Sequence, residues 1–431
     1  MRTCTPEDTA TRVRGRPAVI LLVIAVLVAA GAAAWPGTSA ALPAPSADPF
    51  YRYDKPLDGV KPGTVLRTRP VTYGYRGALA PVSSTQVLYR STDQHGAPVA
   101  AVGTVLRSPV AGPAKLLSFH MAYDALGPQC DPSYTLTGAG VPGPLGTLEQ
   151  GVMSGYLASG YDIVVPDYEG RDQEWTIGRQ SAYAALDGVR AAQRVLQMPR
   201  STPVGLLGYS GGSVPTQWGA EVAPDYAPEL NVVGAAAGGL PVHLAHNLPY
   251  VSGSKSWAGV IPALVVAYQR TYGFDTGAFL SPRGKKIVRT VSSQCINTFA
   301  AQYPGLTNRD MVRAPYTSLL QVAPVVRAIN DNIMGSAGAP ETPVLLGVGQ
   351  VDAVGDGLMV TGDVEGLAHK YCRSGTAVTY ARYAGQAHGQ AFIPFQAQAA
   401  QFLTDRFAGA RPSSNCAVVG RGNSLAPVPV P

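Results

Sequence analysis

A chain of 431 residues, 46% hydrophobic and only 14% charged, has enough apolar material for a large core and too few charges for a disordered protein. Its net charge is +6, of which Arg2, Arg12, Arg14 and Arg16 against Glu7 and Asp8 place +2 in the first 40 residues, leaving +4 without a dense basic run. That balance argues for a mildly basic surface and against a polyanion ligand, so no nucleic-acid partner is expected.

Residues 1–40 read as a secretory leader. Arg12, Arg14 and Arg16 form a positive n-region, residues 18–34 an apolar stretch broken by Gly31, and Thr38-Ser39-Ala40 a small-residue cleavage site. The apolar run is long enough to span a bilayer, so an uncleaved anchor at the cell envelope is the alternative to an extracellular product. Export gives the cysteines a meaning. Cys4 leaves with the leader, and Cys130, Cys295, Cys372 and Cys416 remain, an even set that suggests two disulfides with three pairings open. There is no C-x-x-C and no His/Cys cluster, so no metal site is expected.

After a Pro- and Ala-rich linker at 42–49, residues 51–75 form an N-terminal arm with a turn at Lys61-Pro62-Gly63. Strand-like segments follow at 86–90, 98–106 and 115–119. The first two resemble the antiparallel edge of a mixed sheet. The third runs into His120-Met121-Ala122-Tyr123-Asp124, a polar cluster at a strand's C-terminal end, where open α/β sheets bind ligands. A helix at 148–159 and a strand at 162–166, tipped by Asp167-Tyr168-Glu169-Gly170, come next. In 181–196, Tyr183, Leu186, Val189, Ala192 and Leu196 recur at helical spacing.

The stretch Pro203 to Ser213 organises the rest. An apolar run, Val204 to Leu207, meets Gly208-Tyr209-Ser210-Gly211-Gly212 and then a helix start. A serine at the apex of a sharp strand-to-helix turn is a nucleophile elbow, with glycine favoured at 208 and 212 where strand and helix pack. In a chain with 49 glycines a bare G-x-S-x-G is weak; the strand-turn-helix context strengthens it. A buried strand at 231–236 follows, and the alternation predicts a parallel sheet covered by helices on both faces.

Between 238 and 337 the alternation stops. Helical segments at 257–272, 281–299 and 316–332 read as a cap or lid over the C-terminal edge of the sheet. Strands at 344–347 and 378–383 and helices at 362–373 and 390–407 then resume the pattern. The domain reading is therefore leader 1–40, core 41–237 with the arm, helical cap 238–337, and the second part of the core, 338–431, with a C-terminal tail.

A serine hydroxyl needs a general base, and the base an orienting carboxylate. In α/β-hydrolases these follow in the order Ser, Asp or Glu, His. Downstream of the cap, Asp352 lies just beyond the strand and is the preferred acid; Asp356 is the alternative, and either is open to a plain turn-capping role. Of the two histidines after Asp352, His369 sits within a helix, whereas His388 follows the last strand in a loop and is the expected base. His120 is a candidate for the pocket lining. The Gly211 amide is one oxyanion donor, and the segment around Tyr123-Asp124 must supply the second without an HGGG motif. Asp124 would donate only if protonated; otherwise it would orient the loop.

With these residues in place, the chain resembles the secretory lipase family of yeasts and actinobacteria, the lipase-A type, over nearly its whole mature length. The matching parts are Asp48-Pro49-Phe50-Tyr51 with Pro62-Gly63-Thr64; Tyr123-Asp124 running to Pro132-Ser133; Asp167-Tyr168-Glu169-Gly170; Leu186-Asp187 with Val189-Arg190-Ala191; Gly208 to Gly212; Gly349-Gln350-Val351-Asp352; and His388-Gly389. The resemblance implies an α/β-hydrolase fold with a helical lid and the triad Ser210, Asp352 and His388. It implies an aspartate at the oxyanion site, here Asp124, beside the Gly211 amide. It also implies the disulfides Cys130–Cys295 and Cys372–Cys416. The segment after Asp352 lacks the proline often found there, which keeps Asp356 in contention.

The expected activity is that of a secreted triacylglycerol lipase acting on acyl lipids without a cofactor. A carboxylesterase or acyltransferase on small or envelope-derived esters is the alternative. Ala258, Val260, Ile261, Leu264 and Val265 of the cap are candidates to line an acyl tunnel, to meet a lipid–water interface, or simply to pack against the core.

Overall fold

The structure, a computed structural model, describes residues 42–75, 78–139 and 143–431. The leader reading of residues 1–40 falls outside these. The chain builds one nine-stranded sheet: β1 Val65–Tyr75, β2 Ala78–Thr92, β3 Pro98–Arg107, β4 Leu116–His120, β5 Asp162–Pro166, β6 Val204–Tyr209, β7 Val232–Gly238, β8 Val344–Gln350 and β9 Val378–Ala384. Their spatial order is β1-β2-β3-β5-β4-β6-β7-β8-β9. The first three strands pair antiparallel, β3 also runs antiparallel to β5, and every later pairing is parallel.

The central strands are short apolar runs because both of their faces are covered. In β6, Val204 and Leu206 enter one core and Leu207 and Tyr209 the other. One face carries α2 (Gly178–Leu196), α3 (Ser213–Tyr226) and α8 (Thr361–Arg373). The other carries α1 (Pro144–Ala158) and α9 (Phe392–Phe407). Between β7 and β8 the chain is helical, with α4 (Leu244–Val251), α5 (Val260–Tyr272), α6 (Pro282–Val291) and α7 (Ala323–Asp331).

Three expectations need adjusting. The arm read at 51–75 contains β1, eleven residues long, and β2 runs to fifteen. The helix expected over 281–299 stops at Val291 and restarts as a single turn, Ile296–Phe299, because the chain turns at Cys295 to bridge Ala125. The helix expected over 316–332 shrinks to α7, preceded by a 3₁₀ turn at Leu319–Gln321.

Two disulfides staple this frame, in the pairing the family resemblance implies. Cys130–Cys295 ties the loop after β4 to the β7–β8 insertion across 165 residues, and Cys372–Cys416 ties the C-terminal tail to α8 across 44. A cross-link limits the unfolded chain more as the loop it closes lengthens. The double variant Cys130→Ser/Cys295→Ser is therefore expected to lose about 2–5 kcal/mol of unfolding free energy. Denaturant titration checks this; the cysteine-free variant of the shorter loop should lose less.

Candidate active site

Ser210 follows β6 directly, with φ of 55°, a left-handed conformation that a non-glycine residue adopts at a cost of about 1–3 kcal/mol. The turn survives because its neighbours are glycines. A Cβ at Gly208 would lie 2.0 Å from the Gly212 carbonyl oxygen, and one at Gly212 2.0 Å from that of His120. Ser213 Oγ donates to the Ser210 carbonyl at 2.5 Å. The 3₁₀ turn Ser210–Gly212 leads into α3, whose N-terminal end lies at the serine and favours negative charge there.

His388 Nε2 is 2.8 Å from Ser210 Oγ, and His388 Nδ1 is 3.0 Å from Asp356 Oδ2. A carboxylate only accepts, so Nδ1 carries the proton and Nε2 is free to accept from the serine. The imidazole is 4% exposed. It packs over Tyr209 at a centroid distance of 5.3 Å and meets the edge of Trp257, from the insertion, at 5.6 Å. Tyr209 Oη donates to the His388 carbonyl, and the His388 amide to the Asp356 carbonyl. Asp356 is 1% exposed and its other oxygen, Oδ1, accepts the amides of Leu358 and Met359 at 3.0 and 2.6 Å.

The preferred acid is thereby corrected: the structure pairs His388 with Asp356, not with Asp352. Asp352 is exposed. Its Oδ1 accepts from the amides of Val354 and Gly355, and its Oδ2 from Tyr250 Oη. That is the local turn-capping habit of an aspartate placed just after a strand. The turn it closes sends the chain back so that Asp356 arrives beneath the histidine.

Asp124 sits 2% exposed with φ of 40°, in the loop after β4. Trp175 Nε1 donates a hydrogen bond to its Oδ1. A Cβ on Gly211 would fall 1.9 Å from that same oxygen, so this loop and the Ser210 turn are in contact. Burial pushes the Asp124 carboxyl up to about 6, against the opposing pull of Trp175 and His388. His120 does not line the pocket. It is fully buried between Ser118 and Thr216, and burial lowers it to about 3.

Against Ser210, Gly211 and Asp124 lies a cavity of about 50 Å³. The insertion walls it with Leu244, Leu248, Val251, Val260, Leu264 and Ile296. Of the cap residues singled out in the sequence, Val260 and Leu264 face it; Ala258, Ile261 and Val265 are packed in the core. Trp175, also in the wall, carries no sequence signal beyond lying downstream of the Asp167–Gly170 motif.

The insertion is pinned on its far side. His246 of α4 meets Asp363 of α8 at 2.9 Å, Asn423 of the tail donates to the same oxygen, and the His243 ring stacks on that of His246. The hydrogen bond to Asp363 raises His246 above its ordinary value. Its contribution is thus full below about 6.5, the unfolded value, and fades as pH rises through the raised folded one. His243 is lowered by burial, so it acts with the opposite sign, weakening the fold where it must take a proton. The stability difference between native protein and His246→Gln should therefore shrink as pH rises from acid to alkaline, read from urea midpoints.

A mixed sheet in this order, with a serine turn after the strand that follows the β5 crossover, defines an α/β-hydrolase. A family profile described as Secretory lipase matches residues 141–415. A Mycobacterium tuberculosis protein named a probable inactive lipase is 36% identical over 377 residues, covering 85% of this chain and 83% of that one. Lipase A of Arthroderma benhamiae is 32% identical over 388 residues, covering 86% and 81%. The crystal structure of Candida antarctica lipase A in its closed state matches with a TM-score of 0.79 at 26% identity, over 90% of this chain and 92% of that one. The chain belongs to the secretory lipase family. Family and relatives together place it among hydrolases of ester bonds.

Proposed function

We propose that the protein is a secreted triacylglycerol lipase that cleaves acyl lipids through an acyl-enzyme on Ser210. The observation that carries the reading is the unbroken hydrogen-bonded line Ser210–His388–Asp356. Ser210 Oγ attacks the ester carbonyl as His388 Nε2 takes its proton. His388 then protonates the leaving alcohol, and a water repeats the cycle in reverse to release the acid. Asp356 holds the tautomer and balances the imidazolium. The Gly211 amide receives the oxyanion, and Asp124, whose carboxyl burial pushes up to about 6, donates to it in the fraction that is protonated. Although one relative is named inactive, the nucleophile, base and acid here stand in hydrogen-bonding reach of one another.

For the substrate, the cavity size matters. Ligand pockets usually run to about 300–1,000 Å³, and about 50 Å³ beside the serine is far below that. A long acyl chain therefore requires the apolar helices of the insertion to move, which is the behaviour of a lid. The same figure favours the rival reading, a carboxylesterase for small soluble esters working with the insertion shut. Export is supported by the leader-like residues 1–40, the two disulfides and the family's description.

The test is a paired assay on native protein and Ser210→Ala, with an emulsified long-chain triacylglycerol and a soluble short-chain ester. The lipase reading expects the native protein to prefer the emulsion and the variant to be inactive on both. Cleavage of the soluble ester alone would replace it with the esterase reading.

A further inference from the structure

Two glutamates lie behind the Asp124 loop. Glu149, on α1, is 1% exposed, and its Oε1 accepts the Ala122 amide at 3.0 Å. Glu169, at the tip of β5, is 0% exposed, and its Oε2 accepts the Ala125 amide at 2.9 Å. The two acceptors grip the loop on either side of Asp124. The second oxygen of each, Glu149 Oε2 and Glu169 Oε1, has no hydrogen-bond partner among the described residues.

A charged carboxylate with one bare oxygen in such a place is strongly disfavoured. In the neutral acid the carbonyl oxygen takes the amide and the unpaired group is only a hydroxyl, a smaller penalty than an unpaired charge. The surroundings press the same way. Asp131 and Asp167 face Glu169, and Asp124, in the fraction where it is ionised, opposes a charge on either glutamate. Among the described residues, Arg270 of α5 is a cation that faces Glu169, and its guanidinium is engaged in donating to the Leu126 and Ser292 carbonyls. Burial pushes Glu149 up to about 8 and Glu169 well above the usual carboxylate range.

We propose that Glu149 and Glu169 are a pair of uncharged positioning residues that fix the Asp124 loop from both sides and so set the second wall of the oxyanion site. The rest of the loop's hold is consistent with this division of labour. The Ile296 amide donates to the Asp124 carbonyl, the Leu126 amide to the Gln294 carbonyl, Tyr168 Oη to the Met121 carbonyl, and Trp175 fixes the Asp124 side chain, but none of these takes the Ala122 or Ala125 amide. A loop displaced by about 1 Å can cost on the order of a hundredfold in rate.

The inference rests on the acyl-transfer reading above, and it is tested by Glu→Gln and Glu→Leu variants at each position. Gln keeps a neutral acceptor; Leu removes it at similar volume. The Gln variants should retain native kcat and KM. The Leu variants should lose about 10- to 100-fold in kcat on a soluble ester with KM little changed, and should lose much less in an Asp124→Ala background. Amide exchange of the 121–126 segment, followed by mass spectrometry, should quicken in the Leu variants and not in the Gln variants. Should a Leu variant not unfold cooperatively, Glu→Asp, which withdraws the acceptor by one methylene, is read in its place.

Gln variants as damaged as Leu would overturn the proposal, since a charge would then be needed. So would Leu variants with native kcat and exchange, or a Leu loss equally large without Asp124. The exchange contrast separates this inference from the reading beneath it. A native protein that cleaved no ester yet showed that contrast would sink the reading and leave the cradle standing.

Discussion

Asp356→Asn is expected to lower kcat by about 10³–10⁴, whereas Asp352→Asn is expected to leave kcat and KM near native. The first effect follows from how Asp356 is held. Its Oδ1 accepts two amides, from Leu358 and Met359, and its Oδ2 faces His388 Nδ1. An asparagine must turn its carbonyl oxygen to those amides, because an amide NH₂ cannot accept from them. Its NH₂ then faces Nδ1, which must accept, so the ring proton moves to Nε2. A histidine protonated at Nε2 cannot take the proton of Ser210. The geometry survives and the tautomer is wrong. Asp352, exposed and engaged with its own turn and Tyr250, touches neither ring nitrogen. Steady-state kinetics on one soluble ester decides the matter; equal losses from both variants would refute the assignment.

Gly211→Ala is expected to lower kcat by about 10²–10³, the range seen on loss of an oxyanion donor. The added methyl would lie 1.9 Å from Asp124 Oδ1. That oxygen cannot simply swing away, since Trp175 donates to it and the Asp124 backbone is already left-handed at φ 40°. Either the carboxyl leaves its place or the Gly211 amide does, and both form the proposed oxyanion wall. Gly212→Ala makes a different collision, 2.0 Å from the His120 carbonyl oxygen, where backbone meets backbone. It should therefore appear first as lost stability, about 1–3 kcal/mol as in overpacked cores, read from thermal unfolding. A Gly211→Ala enzyme with native kcat would remove Asp124 and Gly211 from the oxyanion site.

What the sequence makes legible here depends on how local the determining physics is. The turn at Ser210 is local: an apolar run, two glycines that close packing demands, and a helix start within eleven residues. The parallel sheet is legible from alternation, and His388 is picked out as the candidate base by its loop position after the last strand. The candidate acid is not local in this sense. Asp352 and Asp356 are four residues apart in one loop, and which of them reaches His388 depends on the turn between them. Asp352 closes that turn with its own carboxylate, a competing use that its position after a strand does not reveal. The long strands β1 and β2, at the antiparallel end of the sheet, are obscured for another reason. One face of each is partly exposed, so polar residues such as Arg67, Arg69 and Thr85 interrupt the apolar pattern. Trp175, Glu149 and Glu169 come together only in the folded chain. Glu169 stands in a motif that marks the family, but its contact with the Ala125 amide has no sequence signature.

The central claim is that Ser210 is an activated nucleophile, and covalent labelling tests it most directly. Native protein would be treated with a fluorophosphonate and digested, and the adduct located by mass spectrometry, with Ser210→Ala and Asp356→Asn treated alongside. The expected result is one adduct, on Ser210, formed fast in the native protein, slowly in Asp356→Asn and not at all in Ser210→Ala. An unlabelled native protein, or labelling at another residue that persists in Ser210→Ala, would contradict the account.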